Sequence, residues 1–582
     1  MKLWLWTVAA AILIASLASL PGQAAETDLR VLVDTSGSMK QSDPQNLRAP
    51  ALRLLAGLLP KGNRAGVWAF DQQVVVLTPP GEVTDAWQAA ARRSADRINS
   101  RGLFTDIGGA LERALVGWEK PAENQRRGIL LLTDGKVDIS KDPFVNEQAR
   151  ARVLKDTLER LQRSGAVIYT IALSDDADYE LLEKLARTTN GWFERAEDAT
   201  TLQRLFLRMF EKAVQRDTVP LKQNRFTVDG SIREMTLVVF RRPGAAPTQV
   251  MAPDGSRFSQ EALGPRMRWA TEQEYDMVTV EQPTPGKWQV LADIDPDNRV
   301  MVVTDLRVEL SPLPAQAMVG ESLALGAQLL ERGKPMTDPD FLKVLGATLT
   351  RRSEGGESQL RAMFDNGQPP DAVAGDGVLS ADLDGLLRPG GQELIVRIEG
   401  ATFQRERRHS IYLYPPPVDI SLEARPDGGK RLLVRPIPGL LDPGTVEVKG
   451  LVVDPGERSM TLSLPREGEM GWSALLPRDG PPGHYTVSVQ IQAKTTQNRA
   501  VNLTLPPLGY EMSPPPTAAA PTPVPPPLVS PPPPEESPLS WGAVLGLIIF
   551  NGLLAAGAWF GIGLWKERRE ALVIALTGQF EL

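Results

Sequence analysis

Apolar positions recur with two different periods in the N-terminal third of the chain. Short apolar runs predict buried strands, and apolar residues three to four positions apart predict the helices between them. The run Ile129–Leu132 is apolar throughout, which is typical of a strand covered on both faces. Strands that alternate with helices predict a parallel sheet between two helical layers. The predicted strands are Leu29–Val33, Ala65–Phe70, Val74–Leu77, Ile129–Leu132, Ala166–Ala172 and Trp192–Phe193, and the predicted helices lie near residues 47–58, 107–115, 148–161, 180–185 and 202–214.

The helical period ends near residue 217, and short β-rich runs separated by glycine and proline follow. A Pro-Gly pair precedes an apolar run three times, at Pro285, Pro389 and Pro482. Proline presets φ at the first position of a turn and glycine supplies a positive φ at the second, so each pair predicts the start of a strand. The spacing of the pairs is close to the length of an Ig-like sandwich. We therefore predict three all-β domains, at residues 217–304, 305–415 and 416–507.

Both ends of the chain carry long apolar segments. Residues 1–25 have the layout of a secretory signal peptide, with an uncleaved N-terminal anchor as the alternative. Residues 539–565 contain no charge and are long enough to cross a bilayer, and a basic cluster follows them directly. A buried helix of a soluble domain is the alternative here. The positive-inside rule then predicts that residues 26–538 are exported and that residues 566–582 form a cytoplasmic tail.

Proline dominates the stretch before the predicted span, and residues 508–538 are predicted to form an extended polyproline II linker. We expect a plain spacer, since the SH3-type modules that would bind such a segment are cytosolic. Glycines inside the span have the GxxxG spacing that permits close approach of two helices. This predicts weak self-association, with an isolated span as the alternative. The glycines concerned are Gly542, Gly546, Gly557 and Gly561.

Composition narrows the possible functions. The 582 residues include no cysteine, which in a large exported protein indicates a bacterial envelope, because animal extracellular proteins of this size usually carry disulfides. The net charge is −7, with no long basic tract, so we expect no nucleic-acid partner. The two histidines, His409 and His484, have neither metal-ligand nor triad spacing. We therefore expect no enzymatic activity and no catalytic residue.

Polar residues follow two of the predicted strands. Asp34, Ser36 and Ser38 come directly after the first strand, and Asp134 follows the strand Ile129–Leu132. Ligands of open α/β sheets bind beyond the carboxyl ends of the strands, where the strand order reverses. Oxygen-only ligands suit a hard divalent cation, Mg²⁺ or Mn²⁺. An N-capping turn is the alternative explanation of the Asp-x-Ser-Gly-Ser motif taken alone.

These residues and one threonine resemble the metal-ion-dependent adhesion site (MIDAS) of von Willebrand factor A (VWA) and integrin I-like domains. The matched residues are Asp34, Ser36, Ser38, Thr105 and Asp134. The threonine lies just before a predicted helix, as in the family, although Phe104 stands where glycine is common. The resemblance covers about residues 28–215. It implies a VWA domain at residues 26–216 with an α/β fold, a doubly wound and mostly parallel sheet.

The resemblance also implies a mode of binding. In the family, the hydroxyls contact the metal directly and one or both aspartates bind it through water. The metal keeps an open coordination position, which a carboxylate from a partner protein can fill. We therefore expect cation-dependent recognition of a protein that presents an Asp or Glu side chain.

The all-β region resembles the segments that follow the VWA domain in calcium-activated chloride channel regulator proteins. In the second predicted domain, the three acidic residues Asp365, Asp371 and Asp376 lie among glycines, as in those proteins. A Ca²⁺-binding loop is one interpretation, and a turn built from residues that tolerate the left-handed region is the alternative that we favour. The regulators' protease motif is absent from this sequence, so their enzymatic activity does not carry over.

The layout as a whole resembles that of bacterial membrane-anchored VWA proteins, with a single C-terminal span. We therefore expect an adhesion or scaffold protein of the bacterial cell membrane, whose N-terminal domains lie on the extracytoplasmic side. The alternative is an accessory factor for the assembly or activation of another envelope complex.

Overall fold

The computed structural model describes residues 26–512, apart from residues 123–124, 197–200, 215, 354–355, 357, 384–387, 427–428, 469–470 and 497, together with Gly542 and Leu545. The predicted signal peptide, the linker after residue 512, and the predicted tail lie outside the described residues. So does the predicted span, except for Gly542 and Leu545. In the part of the chain that is described, no helix is both long and apolar enough to cross a membrane.

The first domain contains one six-stranded sheet with the order β3-β2-β1-β4-β5-β6. All neighbouring strands are parallel except β2 and β3, which form an antiparallel pair. The strands are β1 (Glu26–Asp34), β2 (Arg64–Phe70), β3 (Val74–Glu82), β4 (Gln125–Thr133), β5 (Ala166–Ala172) and β6 (Trp192–Arg195).

Helices cover both faces of this sheet. They are α1 (Met39–Ser42), α2 (Arg48–Leu58), α3 (Asp85–Ser94), α4 (Ile107–Leu115), α5 (Pro143–Arg152), α6 (Leu158–Ser164), α7 (Tyr179–Thr188) and α8 (Leu202–Val214), with a 3₁₀ turn at Ala95–Arg97 and a π-helical turn at Val153–Thr157. Alternate residues of β1 enter opposite cores: Val31 packs on the side of α2 and α8, and Leu32 on the side of α4 and α7. The sequence analysis did not predict α1 or α3.

The first all-β domain follows α8 and has a single apolar core between two sheets. The Pro-Gly prediction is confirmed at its late strand, since β14 begins at Gly286 with a φ of +138°. The strands are β7 (Asp217–Thr218), β8 (Arg225–Val228), β9 (Ile232–Phe240), β10 (Gln249–Met251), β11 (Arg257–Phe258), β12 (Met267–Thr271), β13 (Tyr275–Glu281), β14 (Gly286–Leu291) and β15 (Arg299–Thr304).

The second all-β domain has its own core and one short helix, α9 (Pro339–Leu342). Its Pro-Gly pair also precedes a strand, since β23 begins at Gly390 with a φ of +112°. The strands are β16 (Leu306–Leu310), β17 (Gln316–Met318), β18 (Ala324–Glu331), β19 (Lys334–Pro335), β20 (Gly346–Ser353), β21 (Ser358–Ala362), β22 (Val378–Asp382), β23 (Gly390–Glu399) and β24 (Gln404–Tyr414).

The third all-β domain packs a three-stranded sheet against a five-stranded one. Its strand β30 begins at Gly483, the third predicted start. The strands are β25 (Val418–Ala424), β26 (Lys430–Pro436), β27 (Glu447–Val453), β28 (Ser459–Ser463), β29 (Trp472–Leu475), β30 (Gly483–Lys494), β31 (Ala500–Thr504) and β32 (Leu508–Met512). Because β32 pairs with β30, the predicted linker boundary at residue 508 is wrong, and the sheet continues to residue 512.

The sheets of the first two β domains are continuous, although their cores are separate. The short strand β7 pairs with β15 of the first domain and with β24 of the second, which creates one ten-stranded sheet. Arg405 reinforces this joint from β24: its guanidinium is fully buried and bonds both carboxylate oxygens of Asp229, at 2.6 and 3.1 Å. The VWA-side helices α2 and α8 pack on the same sheet, where Met277 and Met301 enter their core.

Candidate metal centre

The candidate site lies at the centre of the first sheet, where the strand order reverses. Asp34 is the last residue of β1, and Asp134 directly follows β4. These two strands are parallel neighbours, and Val33 lies opposite Leu132 in their register. The carboxyl ends of both strands therefore meet at one point of the sheet edge, as the strand pattern predicted.

Hydrogen bonds connect four of the five predicted ligands. The Ser36 and Ser38 hydroxyls lie 3.0 Å apart, and the Ser38 hydroxyl donates to Asp134 Oδ1 at 2.8 Å. The Ser36 amide donates to Asp34 Oδ1 at 2.8 Å. Asp34, Ser36 and Asp134 are buried, whereas Ser38 is exposed, so the group reaches solvent at one side only.

Thr105, the fifth predicted ligand, is placed by its backbone. Its amide donates to the Asp138 carbonyl at 2.6 Å, and the Asp138 amide donates back at 3.0 Å. This pairing brings the threonine beside Gly135, where a methyl side chain would lie 3.5 Å from the Thr105 hydroxyl. All five ligands are described, and the Thr105 hydroxyl makes no hydrogen bond to the other four.

Two further residues hold the carboxylates, and the sequence analysis did not identify them. Thr133 donates to Asp34 Oδ2 at 2.5 Å, and Ser42 donates to Asp134 Oδ2 at 2.6 Å. The sequence carries a weak signal for Ser42, because it lies four residues after Ser38 and so one turn further along α1. Thr133 ends β4 next to Asp34, a neighbour relation that only the register of the two strands reveals.

The electrostatics of the site favour a cation. Burial raises the pKa of Asp34 to about 6, and the nearby negative charge of Asp134 acts in the same direction. The hydrogen bonds from Thr133 and Ser36 lower this pKa, but they do not offset the burial. A divalent cation would neutralise both carboxylates, and two carboxylates with serine and threonine hydroxyls form the oxygen-only set that Mg²⁺ and Mn²⁺ prefer. The residues present therefore fit such an ion.

Apolar side chains project from the loops that carry the site. Leu103 is 80% exposed and follows Gly102, whose amide donates to the Thr35 carbonyl within the Asp-x-Ser-x-Ser loop. Phe144 is 67% exposed in the first turn of α5, and the Asn146 side chain of the same helix donates to Asp138 at 2.8 Å. Leu103 lies two residues before Thr105, and Phe144 lies two residues before Asn146, whose amide donates to the Asp138 that pairs with Thr105.

The residues Asp365, Asp371 and Asp376 are also brought together, with carboxylate oxygens within 4.8 Å of one another. The carboxylates nevertheless accept hydrogen bonds from backbone amides of their own loop. Asp365 accepts from Gly375 and Gly377, and Asp371 accepts from Gly367 at 2.6 Å. Such bonds are the ones expected of the tight turn that the sequence analysis favoured over a Ca²⁺ site.

Comparison with known proteins identifies the domain that carries the candidate metal centre. Residues 28–208 match the family model of the von Willebrand factor type A domain. The chain contains a VWA domain. Domains of this kind are typically non-enzymatic modules for protein–protein interaction, and their MIDAS motif binds divalent metal.

Solved structures of VWA proteins are similar to this chain at low identity. A von Willebrand factor type A protein from Catenulispora acidiphila is 16% identical, with 54% of this chain and 64% of that chain covered and a TM-score of 0.28. Proximal thread matrix protein 1 from the mussel byssus, with a zinc-occupied MIDAS motif, is 19% identical, with coverages of 34% and 50% and a TM-score of 0.26. The conserved hypothetical protein BatB from Bacteroides thetaiotaomicron is 14% identical, with coverages of 32% and 100% and a TM-score of 0.25. The chain spans less than two thirds of the length of the first two proteins.

Proposed function

We propose that this VWA domain captures a partner protein through one Mg²⁺ or Mn²⁺ ion. The ion would be held by Asp34, Ser36, Ser38, Thr105 and Asp134. The observation that carries the proposal is one hydrogen-bonded group: the Ser36 amide donates to Asp34, the two serine hydroxyls bond each other, and the Ser38 hydroxyl donates to Asp134. A hydroxyl that donates to a carboxylate in the absence of metal can offer its lone pair to a cation instead.

The partner would supply the last ligand. Ser38 is exposed while both carboxylates are buried, which supports an ion that faces solvent on the serine side. We propose that an Asp or Glu side chain of the partner fills this position. Leu103 and Phe144 would contact apolar residues beside that carboxylate, because both are exposed on segments that are hydrogen-bonded to the site's loops.

We further propose an anchored, extracytoplasmic arrangement in the bacterial envelope. Residues 1–25 would direct export, residues 539–565 would cross the cell membrane, and residues 566–582 would remain in the cytoplasm. The three β domains, which we propose are Ig-like sandwiches, would act as a scaffold that holds the VWA domain away from the membrane. Protease added to spheroplasts should then remove the VWA domain and spare a tag placed after residue 582.

The experiment for partner binding compares the full chain with a matched pair of variants. Ser38→Ala removes an exposed predicted ligand, and Asp176→Ala removes an exposed carboxylate near the same sheet edge as a control. Proteins cross-linked to each chain are collected with Mg²⁺ and with EDTA. We expect one partner with the wild type and with Asp176→Ala in Mg²⁺ only. Equal recovery with Ser38→Ala, or in EDTA, would contradict the proposal, and the partner's identity would separate an adhesion role from an assembly role.

A further inference from the structure

A cavity lined by charged and apolar side chains lies between the VWA domain and the first β domain. It has a volume of about 280 Å³ and is separate from the metal centre. Four cationic side chains and two carboxylates line it, and Glu281 pairs with Lys61 and Arg268, so the cations outnumber the carboxylates by one. The cations are Lys61, Arg92, Arg216 and Arg268, and the carboxylates are Asp85 and Glu234. We name it the Arg92 pocket.

Among the described residues, Arg92 has no charged partner in this pocket. Its guanidinium has one hydrogen bond, a long contact of 3.9 Å to the Met277 sulfur, and its buried Nε has none. The negative charge of Glu272 acts on the Arg92 guanidinium, but this carboxylate accepts a hydrogen bond from Arg53 at 3.0 Å. The partly buried guanidinium loses some of its hydration, and no carboxylate among the described residues pairs with it in exchange.

Arg216 presents a second unsatisfied donor. Its side chain is only 7% exposed, and its Nη1 donates to the Leu58 carbonyl at 3.0 Å. The buried Nη2 has no hydrogen bond within the described ranges and lies 3.7 Å from the Glu234 carboxylate. Arg92 and Arg216 therefore each have a buried nitrogen without a hydrogen bond beside the same cavity.

We propose that the Arg92 pocket binds a phosphate group, either as inorganic phosphate or as the monoester of a small molecule. A phosphate carries nearly two negative charges at neutral pH and offers several acceptor oxygens to separate donors. Guanidinium groups match its oxygens in pairs. A single carboxylate has two acceptor oxygens, whereas a phosphate offers more of them to the separate donors of Arg92 and Arg216. Since α3 supplies Arg92 and β12 supplies Arg268, the bound phosphate would also join the two domains.

The test is calorimetric titration of the purified full chain with inorganic phosphate and with phenyl phosphate, at constant ionic strength in chloride. Wild-type protein should bind one equivalent, and Arg92→Met should bind about tenfold more weakly or worse. Arg93→Met is the matched control, because it removes the same charge from the exposed neighbour on α3 and should bind as wild type. Tighter binding of phenyl phosphate would identify an ester as the ligand, and tighter binding of inorganic phosphate would identify the free ion.

A second variant keeps both guanidiniums. Glu234→Gln removes the carboxylate nearest Arg216 and should tighten phosphate binding.

Arg92→Met should also melt no lower than wild type in phosphate-free buffer, since it removes an uncompensated buried charge. The proposal is overturned if wild-type protein shows no saturable phosphate binding, or if Arg92→Met and Arg93→Met bind it equally.

Discussion

Ser38 and Asp134 are 96 residues apart in the chain, yet the Ser38 hydroxyl donates to Asp134 Oδ1 at 2.8 Å. The parallel pairing of β1 and β4 makes this contact possible, because the serine loop and the aspartate follow neighbouring strand ends. The second oxygen of Asp134 accepts from Ser42. The carboxylate is thus oriented by two hydroxyls before any cation binds, and this orientation is the basis of the first prediction.

Ser42→Ala should weaken Mn²⁺ binding by the full chain roughly 10- to 100-fold without changing the number of ions bound. The reason is that Ser42 orients the Asp134 carboxylate and is not among the predicted ligands. Titration calorimetry gives both the affinity and the stoichiometry. Ser140→Ala, a serine in the neighbouring 138–146 loop, serves as the control. An unchanged affinity in Ser42→Ala would show that the serine does not support the site.

We predict that the exposed side chains of Leu103 and Phe144 contribute to partner binding but not to metal binding. Leu103→Ser combined with Phe144→Ser should leave Mn²⁺ affinity unchanged, because neither side chain belongs to the oxygen ligand set. The affinity for the partner recovered by cross-linking should fall about tenfold or more, since apolar contact area is lost at the rim. Surface plasmon resonance with that partner measures the effect. Wild-type affinity in the double variant would place the partner elsewhere.

We predict that Arg405 contributes strongly to the free energy of unfolding, because it connects the first two β domains. Arg405→Met leaves Asp229 buried beside a methionine and should destabilise the chain by about 3–5 kcal/mol. Arg405→Met combined with Asp229→Asn should recover part of that loss, because no unpaired charge remains. Urea unfolding provides the measurement, with the exposed Arg332→Met as control. A loss below about 1 kcal/mol would contradict a structural role for the buried pair.

Because Lys212 is buried, we predict that the stability of the folded protein depends on pH. Burial lowers the pKa of this lysine from 10.5 to about 8, although its amine donates to the Ser410 hydroxyl and contacts the Trp192 ring. The unfolded chain therefore binds more protons between pH 8 and 10.5, so this group makes the protein more stable as pH rises through that range. Below pH 8 the full cost of burying the charge remains.

Lys212→Met removes this cost at neutral pH. The free energy of unfolding of the variant minus that of wild type should be larger at pH 7 than at pH 10, by about 1–3 kcal/mol. Urea midpoints at the two pH values give the difference. Lys184→Met alters an exposed lysine of α7 and should show no such change. If the difference in stability between Lys212→Met and wild type is the same at pH 7 and pH 10, the pKa of Lys212 is not lowered by burial.

The sequence predicted most of the VWA domain because burial leaves a periodic record. Strands such as Ile129–Leu132, covered on both faces, are apolar throughout, and the helices that cover them have apolar stripes. Helix α3 escaped prediction because only Trp87, Ala91 and Ser94 of its 10 residues are buried, and half of its residues are polar. The Pro-Gly pairs succeeded for a different reason, since a positive φ restricts the residue type wherever it occurs.

Long-range relations could not be predicted in the same way. The apolar stripe of α8 predicted a helix, but periodicity does not say that the helix packs against a sheet of the next domain. Nothing local to Arg405 indicates that its partner is Asp229, because the pairing depends on how β7 joins two sheets. A motif in the sequence predicted the four ligands that the strands bring together. Thr133 belongs to no such motif, and its contact with Asp34 depends on strand register, so it was found only in the structure.

If the group around Asp34 and Asp134 binds a divalent ion, the number of Mn²⁺ ions bound per chain must depend on Asp134. The purified full chain is titrated with Mn²⁺, and free ion is followed by electron paramagnetic resonance. Compared with wild type, Asp134→Ala should bind one Mn²⁺ fewer per chain, while Asp176→Ala should bind the same number. Excess Mg²⁺ should displace that ion from the wild type. If Asp134→Ala binds as many Mn²⁺ ions as wild type with equal affinity, the site does not hold metal and the account is contradicted.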